Sequence, residues 1–142
     1  MTTVLDVKAA VKALLAADAT LAASVKKWLS AEPAPQNYPA LCFGWVEWVG
    51  GRKEDETQDG LMREYDNFYV VILEKHPVAD TAETDALTLM VAAEDALEAD
   101  RTLGAKVTDS LITMREKQAI PERNFSICAV RLTLQTWRWV QK

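Results

Sequence analysis

Apolar residues recur at Val4, Val7, Val11 and Leu14 within VLDVKAAVKALLAA, a spacing that turns one face of a helix over residues 4–17 toward a core. Thr3 and Asp6 stand at its start in the spacing of a capping box. Asp18 starts a second, short amphipathic helix expected over residues 20–29, closed before Pro33 and Pro35, whose rings and missing N–H groups forbid easy continuation. EPAPQNYP then reads as a connector into the first strand.

From there the period shortens to two. Residues 40–49, ALCFGWVEWV, place Leu41, Phe43, Trp45 and Val49 on one face and Cys42, Val46 and Trp48 on the other, with the aromatic and β-branched content of a strand. Residues 67–73, NFYVVIL, are apolar on both faces, which suits a central strand covered on both sides. A helical period returns at Asp80, where Asp80 and Glu83 have capping-box spacing and Ala86, Leu89, Met90, Ala93 and Leu97 form one stripe. Residues 105–117 alternate more weakly as a third strand, and AIPERN makes a turn. The last strand, SICAVRLTLQTWRWV, sets Cys128, Val130, Leu132 and Leu134 against Arg131, Thr133 and Gln135. The order predicts a single α+β domain over residues 1–142: a four-stranded, mostly antiparallel sheet made of two hairpins, with the N-terminal helices and one long helix packed on it.

A chain of 142 residues buries roughly 68–70% of its unfolded surface, enough for a core without staples. The 21 acidic and 16 basic residues leave a net charge of -5, which argues against a protein whose task is to grip phosphates. Cys42 and Cys128 each sit in an apolar run with no second cysteine or histidine near in sequence, as reduced core thiols do. No basic leader precedes an apolar stretch, and no segment approaches the ~20 apolar residues of a membrane span. The expectation is a soluble, unprocessed protein made inside the cell, with no membrane partner.

GGRKEDETQDG, residues 50–60, is the most polar run and invites comparison with a calcium loop. With Gly60 as the sixth position, Asp55, Thr57, Asp59 and Asp66 fall at ligand sites. Strands rather than helices flank it, however, and an aspartate replaces the bidentate glutamate, so a solvated hairpin loop is the preferred reading. His76, the single histidine, has no serine, cysteine pair or second histidine at a recognisable spacing. Glu83, Asp85, Glu94, Asp95, Glu98 and Asp100 share one helix and mostly point away from its core stripe, as a solvated face does. No glycine-rich phosphate loop is present; Gly50 and Gly51 lead into charges, not a helix start. No metal, cofactor or catalytic residue is expected, and nothing argues for an enzyme.

The informative surplus is apolar. Leu87 and Val91 lie four apart and about 100–140° round from the core stripe. Trp137 and Trp139 fall on the polar side of the last strand, next to Arg138. Exposed tryptophan beside arginine is what protein interfaces are enriched in. Two readings stand for the tryptophans: a subunit interface, or burial within one subunit under the N-terminal helices.

The arrangement as a whole resembles the tail terminator proteins of tailed bacteriophages, the tail-completion or tail-to-head joining family that includes minor tail protein U. The likeness covers nearly the whole chain. It rests on the N-terminal helix, NYPALCFGWVEW entering a strand through a proline, a long polar loop, REYDNFYVVILEK, a single long helix ending ALEADRTLGAKV, and two closing strands. That resemblance implies a hexameric ring capping the head-proximal end of the tail tube, stopping tube polymerisation and offering a docking surface to the head connector or head-closure protein. It would place the protein in the virion after synthesis in the host cytoplasm. DNA would pass through the lumen without specific binding, which an acidic balance suits. A ring needs unlike patches meeting head to tail, and the Leu87 and Val91 patch with the strand of Trp137, Arg138 and Trp139 is a candidate pair. Arg52, Lys53, Glu54, Asp55, Glu56 and Asp59 would then form a partner-docking hairpin. The alternatives are another neck or tail component, such as a head-closure or tail-tube protein, and a dimeric α+β small-molecule-binding domain or enzyme with a pocket around His76 or the Asp55 to Asp66 loop.

Overall fold

A computed structural model describes residues 2–34, 38–39, 42–54 and 60–141. Helix α1, Val4–Ala17, buries Val7, Val11 and Leu15; Leu14, expected in the stripe, is half-buried against the same core. Its capping box forms as the sequence predicts, Asp6 N–H donating to Thr3 Oγ1 at 3.3 Å and Thr3 N–H to Asp6 Oδ2 at 2.8 Å. Asp18 caps α2, Ala19–Ser24, by accepting from Leu21 N–H at 3.0 Å. This helix stops well short of residue 29. Val25 is extended and buried, Lys26 N–H donates to Cys42 O at 3.0 Å, and Lys27–Leu29 is a short strand, β1.

The remaining elements are β2, Phe43–Glu54, β3, Leu61–His76, α3, Ala79–Ala99, β4, Asp109–Pro121, and β5, Ser126–Gln141. Among the described residues the sheet has five strands in the order β1-β2-β3-β5-β4, not four. β1 runs parallel to β2 and the other pairs are antiparallel, so the architecture is α+β with a mixed sheet. What sequence patterning hides is the three-residue strand, too short to show a period. It is seated by Gly44: a side chain there would put its Cβ 2.7 Å from Trp28 Cζ3 and 2.7 Å from Val71 O, so the glycine is what lets Trp28 lie against β2.

β2 and β3 are longer than their apolar runs. Past a bulge at Trp48/Gly50, Arg52 pairs with Tyr65, Lys53 with Glu64 and Glu54 with Arg63. Part of the polar run is therefore ribbon rather than loop, and Gly50, at φ 132°, takes the backbone conformation that other residues rarely adopt.

Helix α3 buries the expected stripe of Ala86, Leu89, Met90, Ala93 and Leu97. Its expected capping box does not form: the N-cap is Val78, with no side-chain cap bond, and Glu83 instead pairs with Lys117 of β4 at 3.0 Å. The strand expected from residue 105 begins at Asp109. Before it the chain turns through Leu103, Gly104 and Ala105, all at positive φ, while Arg101 grips both Asp109 carboxylate oxygens at 2.9 and 2.8 Å.

All three helices contribute to one core, where Val7, Val11, Leu15, Leu21, Leu89 and Leu97 meet Val46, Phe68, Val70, Ile72, Val130, Leu132 and Leu134. In β3 and β5 those are the even-numbered residues. The odd-numbered face carries a smaller cluster of Phe43, Trp45, Val71, Leu73 and Ile127, flanked by Leu29, Tyr38, Ile120 and Phe125, to which no described helix contributes. The central strand is thus apolar on both faces as expected, but only one face lies under a helical layer. Among the described residues no helix is long and apolar enough to cross a membrane.

Gly44→Ala is expected to displace Trp28 and destabilise the domain by about 1–3 kcal/mol, read from urea unfolding; a variant as stable as the parent would contradict the role given to this glycine.

Candidate interaction surface

Strand parity sorts the polar residues of β3 and β5. On the helix-bearing face the cores of both strands end in Asp66, Thr136, Glu64 and Arg138. Arg138 is only 7% exposed; its Nη2 donates to Glu64 at 2.6 Å and its Nη1 to Thr2 O at 2.8 Å, tying the start of α1 to the sheet. Arg138 therefore lies on the opposite face from the tryptophans beside it in sequence, holding the domain together internally. Asp66 is buried and accepts from Trp48 Nε1–H at 2.9 Å. Burial pushes its carboxyl up from the usual range, against the opposing pull of the Trp48 bond. A side chain so placed is unavailable as the last ligand of a calcium loop; Asp55, Glu56 and Asp59 lie outside the described residues.

The helix-free face carries a ladder of arginines and rings. Arg52 lies 4.2 Å from the Tyr65 ring centroid and pairs with Glu54. Arg63 lies 4.8 Å from the Trp137 centroid and 5.1 Å from that of Trp139, while the two indoles meet edge to face at 5.5 Å and 86°. Arg131 sits 4.1 Å from the Tyr69 centroid and donates to Glu116 at 3.1 and 2.6 Å. Register makes this order: Tyr65 faces Trp137 and Arg63 faces Trp139 across the β3–β5 pair. Each contact is favourable by about 0.5–1 kcal/mol where it is exposed. Trp139 remains 39% exposed, Trp137 is half-buried, and Leu111 and Met114 of β4 are exposed beside Gln135 and Thr133. Because α1 and α2 pack on the other face, they do not cover the tryptophans.

The second patch expected on α3 divides. Leu87 is half-buried against the core, whereas Val91 is 48% exposed. Around Val91 the outer stripe of α3 exposes Thr84, Asp85, Thr88, Asp95 and Glu98. Of the hairpin residues, Lys53 is exposed and reaches Glu64 only at 3.8 Å.

The other candidates for chemistry take structural parts. His76 Nδ1 accepts from Val78 N–H at 3.0 Å, at the start of α3. Burial pushes the Cys42 and Cys128 thiols up, with the Glu74 carboxylate adding to the effect at Cys42, so both are poor nucleophiles at neutral pH. A recess of about 740 Å³ opens between the start of α1 and the end of β5, lined by Lys53, Glu64, Lys106, Arg138 and Trp139 among others; His76 does not line it. Among the described residues no cluster of His, Cys, Asp and Glu could hold a metal.

No family model matches the chain, and no curated protein matches it. Among solved structures, a chain in "Virion of native gene transfer agent (GTA) particle" is 14% identical, with 92% of each chain covered and a TM-score of 0.47. A likeness of that size leaves function to be argued from the surface itself.

A double-mutant cycle of Arg63→Ala and Trp137→Ala should return a coupling of about 0.5–1 kcal/mol; additive losses would remove the ladder as a stabilising feature. Because burial raises the Asp66 carboxyl, the folded state holds this proton to higher pH than the unfolded chain does. The associated stability is present below the ordinary carboxylate range and is lost as pH rises through the raised value. Asp66→Asn, which keeps an acceptor for Trp48, should therefore exceed the parent in stability at neutral pH and lose that advantage below about pH 4. A lower urea midpoint for the variant at neutral pH would contradict this.

Proposed function

We propose that this chain is a structural virion protein of the tailed-phage kind, a tail terminator whose ring ends the tail tube at its head-proximal side and receives the head connector or head-closure protein. The observation that carries the reading is the pairing of unlike surfaces on opposite sides of one domain. One is an open sheet face set with Arg52, Arg63, Arg131, Tyr65, Trp137 and Trp139; the other is an acidic helix stripe centred on Val91. A face of arginines and rings and an acidic stripe with an apolar centre are unlike patches, so a contact between them is heterologous, and it closes into a ring where the rotation from copy to copy brings the last subunit back to the first. The element order that resembles tail terminator proteins supports this ring over other assemblies. The role is architectural: the residues with chemical potential, His76, Cys42 and Cys128, are engaged in a backbone bond or sheltered from reaction.

In this reading the ribbon of β2 and β3 beyond the Trp48/Gly50 bulge reaches out of the subunit toward the tube or a neighbour. Removing residues 52–59 should preserve the fold and weaken tube docking; tail joining at the parent level would exclude that role.

Light scattering coupled to size exclusion over a concentration series should find a discrete species of about six subunits, or a monomer that closes into a ring when tail tubes are added. Val91→Glu and Trp139→Ser should each shift the equilibrium toward monomer by about tenfold or more. Unlimited cylinders would indicate a tube protein, and a concentration-independent dimer indifferent to tubes would exclude the terminator reading.

A further inference from the structure

At the end of the open face away from Trp139, a groove of about 560 Å³ is floored by Trp45, Tyr69, Val71 and Leu73. Trp45 is 4% exposed, and its Nε1–H, the side chain's only donor, has no acceptor among the described residues. A buried donor left unmade costs about 1–3 kcal/mol. The nitrogen itself is closed off from solvent, so the indole serves the groove as floor and not as an open donor.

The groove crosses four strands. Trp45 and Glu47 come from β2, Tyr69 and Val71 from β3, Arg131 from β5 and Glu116 from β4, with Glu47 opposite Tyr69, Val71 opposite Arg131 and Arg131 opposite Glu116. At ~4.8 Å per strand this span is roughly 14 Å, the length of about four extended residues.

Its charge is unbalanced. Of the rim residues, Arg131 is taken by Glu116 at 2.6 Å and Lys117 by Glu83 at 3.0 Å. Glu32 and Glu47 also line the groove, and neither has a cation within ion-pair distance among the described residues. The face already displays what such surroundings accept: a guanidinium stacked on Tyr69 and held by a carboxylate. Tyr38 and Trp45 with Glu32 and Glu47 offer the same combination, aromatic surface beside negative charge, to a second cation.

We propose that this groove binds an extended basic segment of a partner protein, about four residues long. Its apolar side chains would lie on the floor over Trp45, Tyr69 and Val71, and an arginine or lysine would meet Glu32 and Glu47. A lone small cation would leave much of the length empty. Arg131 belongs both to this groove and to the face proposed to meet a neighbouring copy, so the segment competes with ring closure there, and the peptide titration reads the groove on the unassembled chain.

The test is a titration of ¹⁵N-labelled full-length protein with acetyl-Leu-Arg-Leu-Arg-amide, followed at the Trp45 indole resonance, assigned through its contacts with neighbouring side chains. The indole signal should move and saturate, and Glu32→Gln with Glu47→Gln should weaken binding by about tenfold. An unmoved indole, unchanged affinity in the double variant, or equal affinity for acetyl-Leu-Glu-Leu-Glu-amide would overturn the proposal. So would arginine amide alone binding as tightly as the peptide, which would mark a small-cation site.

Discussion

The docking of α1, α2 and α3 onto the even-numbered side chains of β3 and β5 is the contact on which the other features depend. It buries Phe68, Val70, Ile72, Val130, Leu132 and Leu134 under Leu89, Leu97, Val11 and Leu15 and uses every described helix on one side of the sheet. Strand periodicity then obliges the odd-numbered residues to face the other way. What stands there is not a polar, solvated face of the ordinary kind but arginines stacked on tyrosine and tryptophan. The helical layer thus creates the exposed surface by occupying its opposite.

Charge divides less cleanly between the two sides. The chain is acidic overall, yet the open face gathers Arg52, Arg63 and Arg131, while Asp85, Asp95 and Glu98 gather on the outside of α3. Neither side carries one sign alone: on the open face Arg52 pairs with Glu54 and Arg131 with Glu116, and on the helix side Glu94 and Glu83 hold Arg115 and Lys117 of β4. The groove at Trp45 adds Glu32 and Glu47 to the carboxylates of the arginine-bearing face.

How much of this could be read from the chain depended on period and length. α1 with its capping box, the buried stripe of α3 and the alternation of β5 were legible because each repeats over many residues. β1 was not: Lys27–Leu29 is too short to alternate, and its place is fixed by the gap above Gly44. The Asp80 and Glu83 box failed because the helix starts earlier than the box requires, with Val78 as its N-cap and Asp80 already in the first turn. Trp137 and Trp139 were rightly assigned to the polar side of β5, but Arg138 cannot share their face, since a strand turns neighbours to opposite sides. The arginines that do stack there, Arg63 and Arg131, share an odd register with Tyr65, Tyr69, Trp137 and Trp139. That period-two signal becomes visible only once β3 and β5 are aligned as partners.

The central claim is that the helix stripe of one copy covers the open sheet face of the next. It is tested most directly by a chain carrying both Val91→Cys and Trp139→Cys, oxidised under mild conditions in which the sheltered Cys42 and Cys128 stay reduced. The account predicts a covalent ladder on a non-reducing gel that rises subunit by subunit and ends in a closed species, with neither single variant giving the ladder. Monomer alone from the double variant, or dimers from each single variant, would contradict it.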